Sequence, residues 1–106
     1  MGKQQPLYMD KQLTIDYLPQ SPEDYQLIIK RKSGEEVGQI LQRGVLEDLA
    51  KTSRERLETK IDTINPTFLH LLQLEEISID LLHGALRDAH MEEKKRISDF
   101  AAKNAH

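Results

Sequence analysis

Five polar side chains, Glu76, Asp80, His83, Arg87 and His90, recur at steps of four, three, four and three. On a helix those steps line up on one face. Asp80-x-x-His83, with His90 seven residues further on, offers one carboxylate and two imidazoles, the ligand types a transition metal takes. Two features weigh against a metal. Arg87 falls in the middle of the cluster, where a guanidinium opposes a bound cation. Helical bundles that hold two metals also place Glu-x-x-His on partner helices, and this chain has one loose version of it. A solvated polar face is the simpler reading, and no cofactor is expected. Asp80, His83 and His90 stand as the metal or catalytic candidates.

The second chemical stretch is IIKRKSGEEVG, residues 28–38. Lys30, Arg31 and Lys32 form a basic run of the kind that contacts phosphates, which makes them the candidates for nucleic-acid binding. The run leads into Ser33-Gly34 and then Glu35-Glu36. A two-residue loop at Ser33-Gly34 suits a hairpin, because glycine tolerates the positive φ such turns need. That register sets Lys32 opposite Glu35, Arg31 opposite Glu36 and Lys30 opposite Val37. It also places Tyr25, Leu27, Ile29 and Ile40 on one face. Acids then answer most of the basic arm. The other basic run, Lys94-Lys95-Arg96, follows Glu92-Glu93 and reads as a salt-bridged helix surface.

No nucleophile carries a catalytic signature. None of the five serines lies in a G-x-S-x-G elbow or an S-x-x-K motif. Gly34-Glu35-Glu36-Val37-Gly38 lacks the glycine spacing and lysine of a phosphate loop, and its carboxylates repel phosphate. The paired acids Glu75/Glu76 and Glu92/Glu93 diverge by about 100° on a helix, so they do not face one another. The chain is expected not to be an enzyme.

Composition bounds the rest. A chain of 106 residues with 38% hydrophobic and 31% charged residues is expected to form a single domain, residues 1–106. With no Trp and five aromatic residues the core is mainly aliphatic. The net charge is -3, and the first 44 residues balance six bases against six acids. Neither half has the basic excess of a protein that binds nucleic acid mainly through phosphates. There is no cysteine, which suits a reducing, cytoplasmic setting. Residues 1–10 lack the apolar core of a signal peptide. The most apolar stretch, 68–86, contains Glu75, Glu76 and Asp80, so no membrane span is expected.

The elements that position these side chains follow from periodicity. Residues 1–6 read as a flexible arm. Residues 7–44 read as a three-stranded antiparallel β-meander: Leu13, Ile15 and Tyr17 alternate with polar residues, PQSPED (19–24) makes a loop, and strands at 25–32 and 35–42 follow. In residues 45–64 the period becomes helical, with Leu46, Leu49, Ala50, Leu57, Ile61 and Ile64 on one face. Asn65-Pro66 supplies an N-cap and a first-turn proline for a second helix and so forms an αα-hairpin. Residues 66–104 are one long helix, or two that break near Ser78–Asp80 or at Gly84. The fold class is therefore α+β, with an N-terminal meander and a helical region at 45–106.

By exclusion, the expected function is protein–protein interaction, as an adaptor, regulator or assembly factor. Self-association as a homo-oligomer is expected. Nucleic-acid binding through the basic hairpin is the alternative, a metal or catalytic helix face the third reading, and no membrane role is expected. The expected interaction surface is the stripe Leu72, Ile79, Leu82 and Leu86, with Leu74, Ile77 and Leu81 forming a second stripe. The Leu7–Met9 segment is expected to add a strand to a neighbour's sheet edge.

Overall fold

The computed structural model describes residues 5–104. Among these residues four strands and four helices follow in chain order: β1 Tyr8–Met9, β2 Leu13–Leu18, β3 Ser21–Lys30, β4 Glu36–Gln42, α1 Arg43–Lys51, α2 Arg54–Ile64, α3 Pro66–Leu74 and α4 Ile79–Asn104. The strands form one antiparallel sheet in the order β1-β2-β3-β4. The class is α+β, as the periodicities imply.

The sheet has an inner and an outer face. Leu13, Ile15, Tyr25, Leu27 and Ile29 are fully buried on the inner face, where the helices lie. Each helix contributes apolar residues at steps of three and four: Leu46, Leu49 and Ala50 from α1, Leu57 and Ile61 from α2, Leu69 and Leu72 from α3, and Leu82, Ala85, Leu86 and Ala89 from α4. Burial of this aliphatic set holds the layers together, at about 25 cal/mol per Å² of apolar surface.

The structure has a fourth strand. Tyr8 pairs with Ile15 and Met9 with Thr14. The Leu7–Met9 segment thus completes its own sheet rather than a neighbour's, and Leu7 is buried. Residues 1–4 of the expected arm lie outside the described residues. The expected loop at 19–24 shrinks to Pro19-Gln20, because β3 begins at Ser21. Along β3, the strand β4 reaches only as far as Asp24, opposite Gln42.

The hairpin register also differs from the expected one. Ile28 pairs with Gly38, Ile29 with Val37 and Lys30 with Glu36, one residue off the two-residue-loop alignment. The loop has three residues, Lys32-Ser33-Gly34. The Gly34 amide donates to the Arg31 carbonyl at 2.8 Å and the Arg31 amide to the Glu35 carbonyl at 2.7 Å. Gly34 holds φ 94°, the left-handed position that closes a three-residue hairpin loop. A one-residue slip exchanges the faces of a strand. Ile40, expected inside, lies on the outer face, while Val37, Gln39 and Leu41 face inward opposite Ile29, Leu27 and Tyr25.

The helices break where side chains compete for the backbone. Residues 45–64 divide at Thr52-Ser53, where Thr52 Oγ1 donates to the Asp48 carbonyl at 2.7 Å. Asn65 caps α3 as expected: its Oδ1 accepts the Phe68 amide at 3.1 Å, and Pro66 takes the first helical position. The break before α4 comes at Glu75–Ser78, earlier than expected, and Gly84 lies within α4. There the Ile77 amide donates to the Leu72 carbonyl and the Glu76 amide to the Gln73 carbonyl, while Glu76 takes φ 56°. This is a Schellman ending with Glu where glycine is usual, and the buried Ile77 and Leu72 supply its apolar contact.

Candidate interaction surface

The basic hairpin tip is tied to acids of its own chain. Glu75 is buried at the end of α3. Its carboxylate accepts the Lys32 amide at 2.7 Å and Arg31 Nε at 3.1 Å. The Lys32 amide and the Arg31 guanidinium hold the Glu75 carboxyl below the ordinary carboxylate range. Arg31 also pairs with Glu35 at 3.3 Å and Lys32 with Glu76 at 3.0 Å. Lys30 faces Glu36 across the strands. Arg31 and Lys32 thus pair with acids of the turn between α3 and α4, while Lys30 has Glu36 as its cross-strand neighbour.

The expected metal face is dispersed. Asp80 pairs with Arg54 of α2. His83 Nε2 lies 3.1 Å from the Thr52 carbonyl. His90 faces a different cleft, shared with Arg43, Lys51 and Lys94. Among the described residues no group of three or more acidic, His or Cys side chains could hold a metal ion.

A second buried carboxylate, Glu93, fastens α4 to the sheet. It accepts the Tyr17 hydroxyl at 2.8 Å and the Tyr25 hydroxyl at 2.6 Å. Arg43 Nε donates to the Tyr25 oxygen at 3.3 Å, and the Arg96 guanidinium lies 5.9 Å from the Tyr17 ring centre. Burial, then the bond to Glu93, pushes the Tyr25 hydroxyl up to about 12, and the same causes raise Tyr17. Both carboxylate oxygens of Glu93 are taken up by hydroxyls that tie α4 to the sheet. The adjacent acids do diverge: Glu92 turns out to Arg96 at 2.9 Å while Glu93 turns in. Sequence reasoning missed Glu75 and Glu93 as anchors, because each looks like its exposed neighbour.

The apolar stripe expected to meet a partner belongs to the interior. Leu72, Leu82 and Leu86 are core residues of the chain itself, and Ile79 is half-buried against them. This corrects their assignment as a surface: side chains at 0–1% exposure have nothing left to offer a partner. Of the second stripe, Ile77 is buried, Leu81 half-buried and Leu74 exposed.

The available surface is at β4. This strand ends the sheet, with β3 its neighbour on one side only. Its residues Val37–Gln42 carry no charge, and Ile40 is 60% exposed. Beneath the strand lies a cavity of about 280 Å³ lined by Leu41, Leu49, Ile61, Phe68, Leu82 and Leu86 among others. Exposed Ile40 and Ile64 stand at its rim. Gln39, the polar residue on the inner face of β4, accepts Asn65 Nδ2 at 3.1 Å and so ties the strand to the cap of α3. One signal for this site was legible. Reading a three-residue loop would have turned Ile40 outward on an uncharged strand.

The backbone of β4 presents alternate groups to solvent. The Arg31 amide bonds the Glu35 carbonyl, so the hydrogen-bonded pairs continue through Ile29–Val37, Leu27–Gln39 and Tyr25–Leu41. The N–H and C=O groups of Glu36, Gly38 and Ile40 therefore point away from the sheet, as does the Gln42 N–H, while the Gln42 carbonyl accepts the first bond of α1. An uncharged edge of this kind is a template for another strand.

No protein-family model, curated protein or solved structure matches the chain. Among the described residues, no helix is long and apolar enough to cross a membrane.

Proposed function

We propose that the chain is a non-enzymatic protein–protein interaction module that accepts a partner's strand along β4. One observation carries this reading: an uncharged open sheet edge lies directly above an apolar cavity, with exposed isoleucines at its rim. Main-chain hydrogen bonds along such an edge supply affinity, and a pocket for alternate side chains supplies selectivity. The role is that of an adaptor, regulator or assembly factor. The lack of cysteine suits work in a reducing compartment such as the cytoplasm.

Peptide selection tests the reading. The protein is immobilised sparsely, so that its edges stay unpaired, and challenged with a displayed random-peptide library. Extended peptides with apolar residues at alternate positions should bind the wild type and be lost on Ile40→Lys, which places a charge on the edge. Recovering no such peptides, or peptides indifferent to Ile40→Lys, refutes it.

A further inference from the structure

We infer that the strand β4 accepts is β4 of a second copy, paired antiparallel about Gln39; this rests on the reading of β4 as the binding edge and names its partner. The charge pattern along the strand is self-complementary. Glu35 and Glu36 stand at one end, Arg43 at the other, and the six residues between carry no charge. An antiparallel copy brings the acidic end of one strand to the basic end of the other. A parallel copy would set acid against acid.

The backbone narrows the register. Only Glu36, Gly38, Ile40 and Gln42 present outward groups, so even-numbered residues must pair with even-numbered residues. Centring on Gln39 pairs Gly38 with Ile40, which exchange both bonds, and Glu36 with Gln42 of the other copy, where the Gln42 carbonyl caps α1 and only its amide is left to donate. The same alignment brings the Glu35 end of one copy near the Arg43 end of the other, where Glu35 also pairs with Arg31 and Arg43, the first residue of α1, also donates to Tyr25 of its own chain. Centring one residue later sets Val37 against Arg43, and centring one earlier sets Glu36 against Ile40.

Side chains suit the alignment on both faces. On the outer face Ile40 of each copy lies beside Gly38 of the other. Gly38 has open space where a Cβ would stand, so an isoleucine can cover the backbone there. On the inner face the two Gln39 side chains meet at the twofold axis. Each Gln39 Oε1 already accepts from Asn65, which leaves its Nε2 to donate to the other copy. A partner built from the same surface on both subunits forms a closed dimer rather than a fibre. The short strand and modest apolar area predict a weak dimer, with a Kd in the micromolar range.

The test is sedimentation of the full chain from low micromolar to near-millimolar concentration, with two variants. Wild type should pass from monomer to dimer, and Ile40→Lys should weaken the dimer at least roughly tenfold without altering the circular dichroism spectrum. The chain has no cysteine, so Gln39→Cys should form a disulfide-linked dimer on mild oxidation while Ser98→Cys on α4 does not. A wild type that stays monomeric at every concentration overturns the inference. A dimer indifferent to Ile40→Lys overturns it as well, because the contact then lies elsewhere. Monomeric behaviour together with peptide binding at β4 removes only the second copy as partner. Monomeric behaviour with no peptide bound removes the interaction reading too.

Discussion

The two edges of the sheet are built differently. The β1 edge is two residues long, and α4 packs against β1 and β2. The chain just before it is held as well, since Arg96 Nη2 donates to the Gln5 carbonyl at 2.8 Å and lies 3.3 Å from the Pro6 carbonyl. Behind that edge Glu93 gathers the hydroxyls of Tyr17 and Tyr25. The β4 edge is seven residues long, has no charged residue from Val37 to Gln42, and exposes Ile40 above a cavity. Proteins blunt sheet edges with short strands, coverage and charge. A helix packs against each edge strand here, α4 against β1 and α1 against β4, and what differs is length: two residues at β1 against seven at β4. The length of β4 is the feature that supports the proposed pairing with another strand.

The same substitution on the two sides should separate them most. Ile15→Ala, at 0% exposure behind β1, should lower folding stability by about 3 kcal/mol in urea denaturation. Ile40→Ala on the open edge should change it by less than about 0.5 kcal/mol. Near-equal losses would show that the edge is part of the protomer's core support.

The clamp on the guarded side comes next. Glu93→Gln should cost about 1–2 kcal/mol, since two hydroxyls lose a charged acceptor. It should also bring the Tyr25 titration down from about 12 towards its ordinary value of 10.0, read by ultraviolet absorbance. The sign of the alkaline dependence follows. The folded state holds the Tyr25 proton more tightly than the unfolded chain does. Its contribution is therefore complete below pH 10 and is lost as pH rises towards about 12. Glu75 behaves in the opposite sense: its lowered pKa contributes stability above the ordinary carboxylate range, lost as pH falls through the folded value. Glu75→Gln should flatten the acid limb of the stability curve while leaving the alkaline limb unchanged.

A smaller effect tests the turn that delivers those acids. Glu76 occupies a left-handed position, which costs a side chain roughly 1–2 kcal/mol relative to glycine. Glu76→Gly should raise the urea midpoint by up to about 1 kcal/mol in stability, less whatever its exposed pair with Lys32 contributes. A loss instead would mean that Glu76 holds the hairpin tip more firmly than an exposed ion pair should. The smallest effect on folding is expected for Ile40→Lys, within about 0.5 kcal/mol, although it is the change expected to disrupt association most.

Much of this architecture was legible in the sequence, because long periodic segments leave few options. Alternation at Leu13, Ile15 and Tyr17 and the three-and-four spacing at Leu46, Leu49 and Ala50 each allow one buried face. The Asn65-Pro66 cap was legible for the same reason: its chemistry is local. What was not legible depended on contacts distant in sequence. Tyr8–Met9 is too short to show alternation, and only its pairing with β2 makes it a strand. Gly34 fits either a two- or a three-residue loop, and the choice between them turned Ile40 from inside to outside. Glu75 and Glu93 are buried only because Arg31, Lys32, Tyr17 and Tyr25 reach them across the fold. The stripe of Leu72, Leu82 and Leu86 reads equally well as core or interface until the sheet is placed against it.

Amide exchange along β4, followed by NMR at two protein concentrations, tests the central claim most directly. The Val37, Gln39 and Leu41 amides bond β3 and should exchange slowly at both. The Gly38 and Ile40 amides point away from the sheet. They should exchange rapidly in dilute protein and slow as concentration rises and a second strand covers them. Gly38 and Ile40 amides that remain equally fast at every concentration would contradict pairing of β4 with its copy.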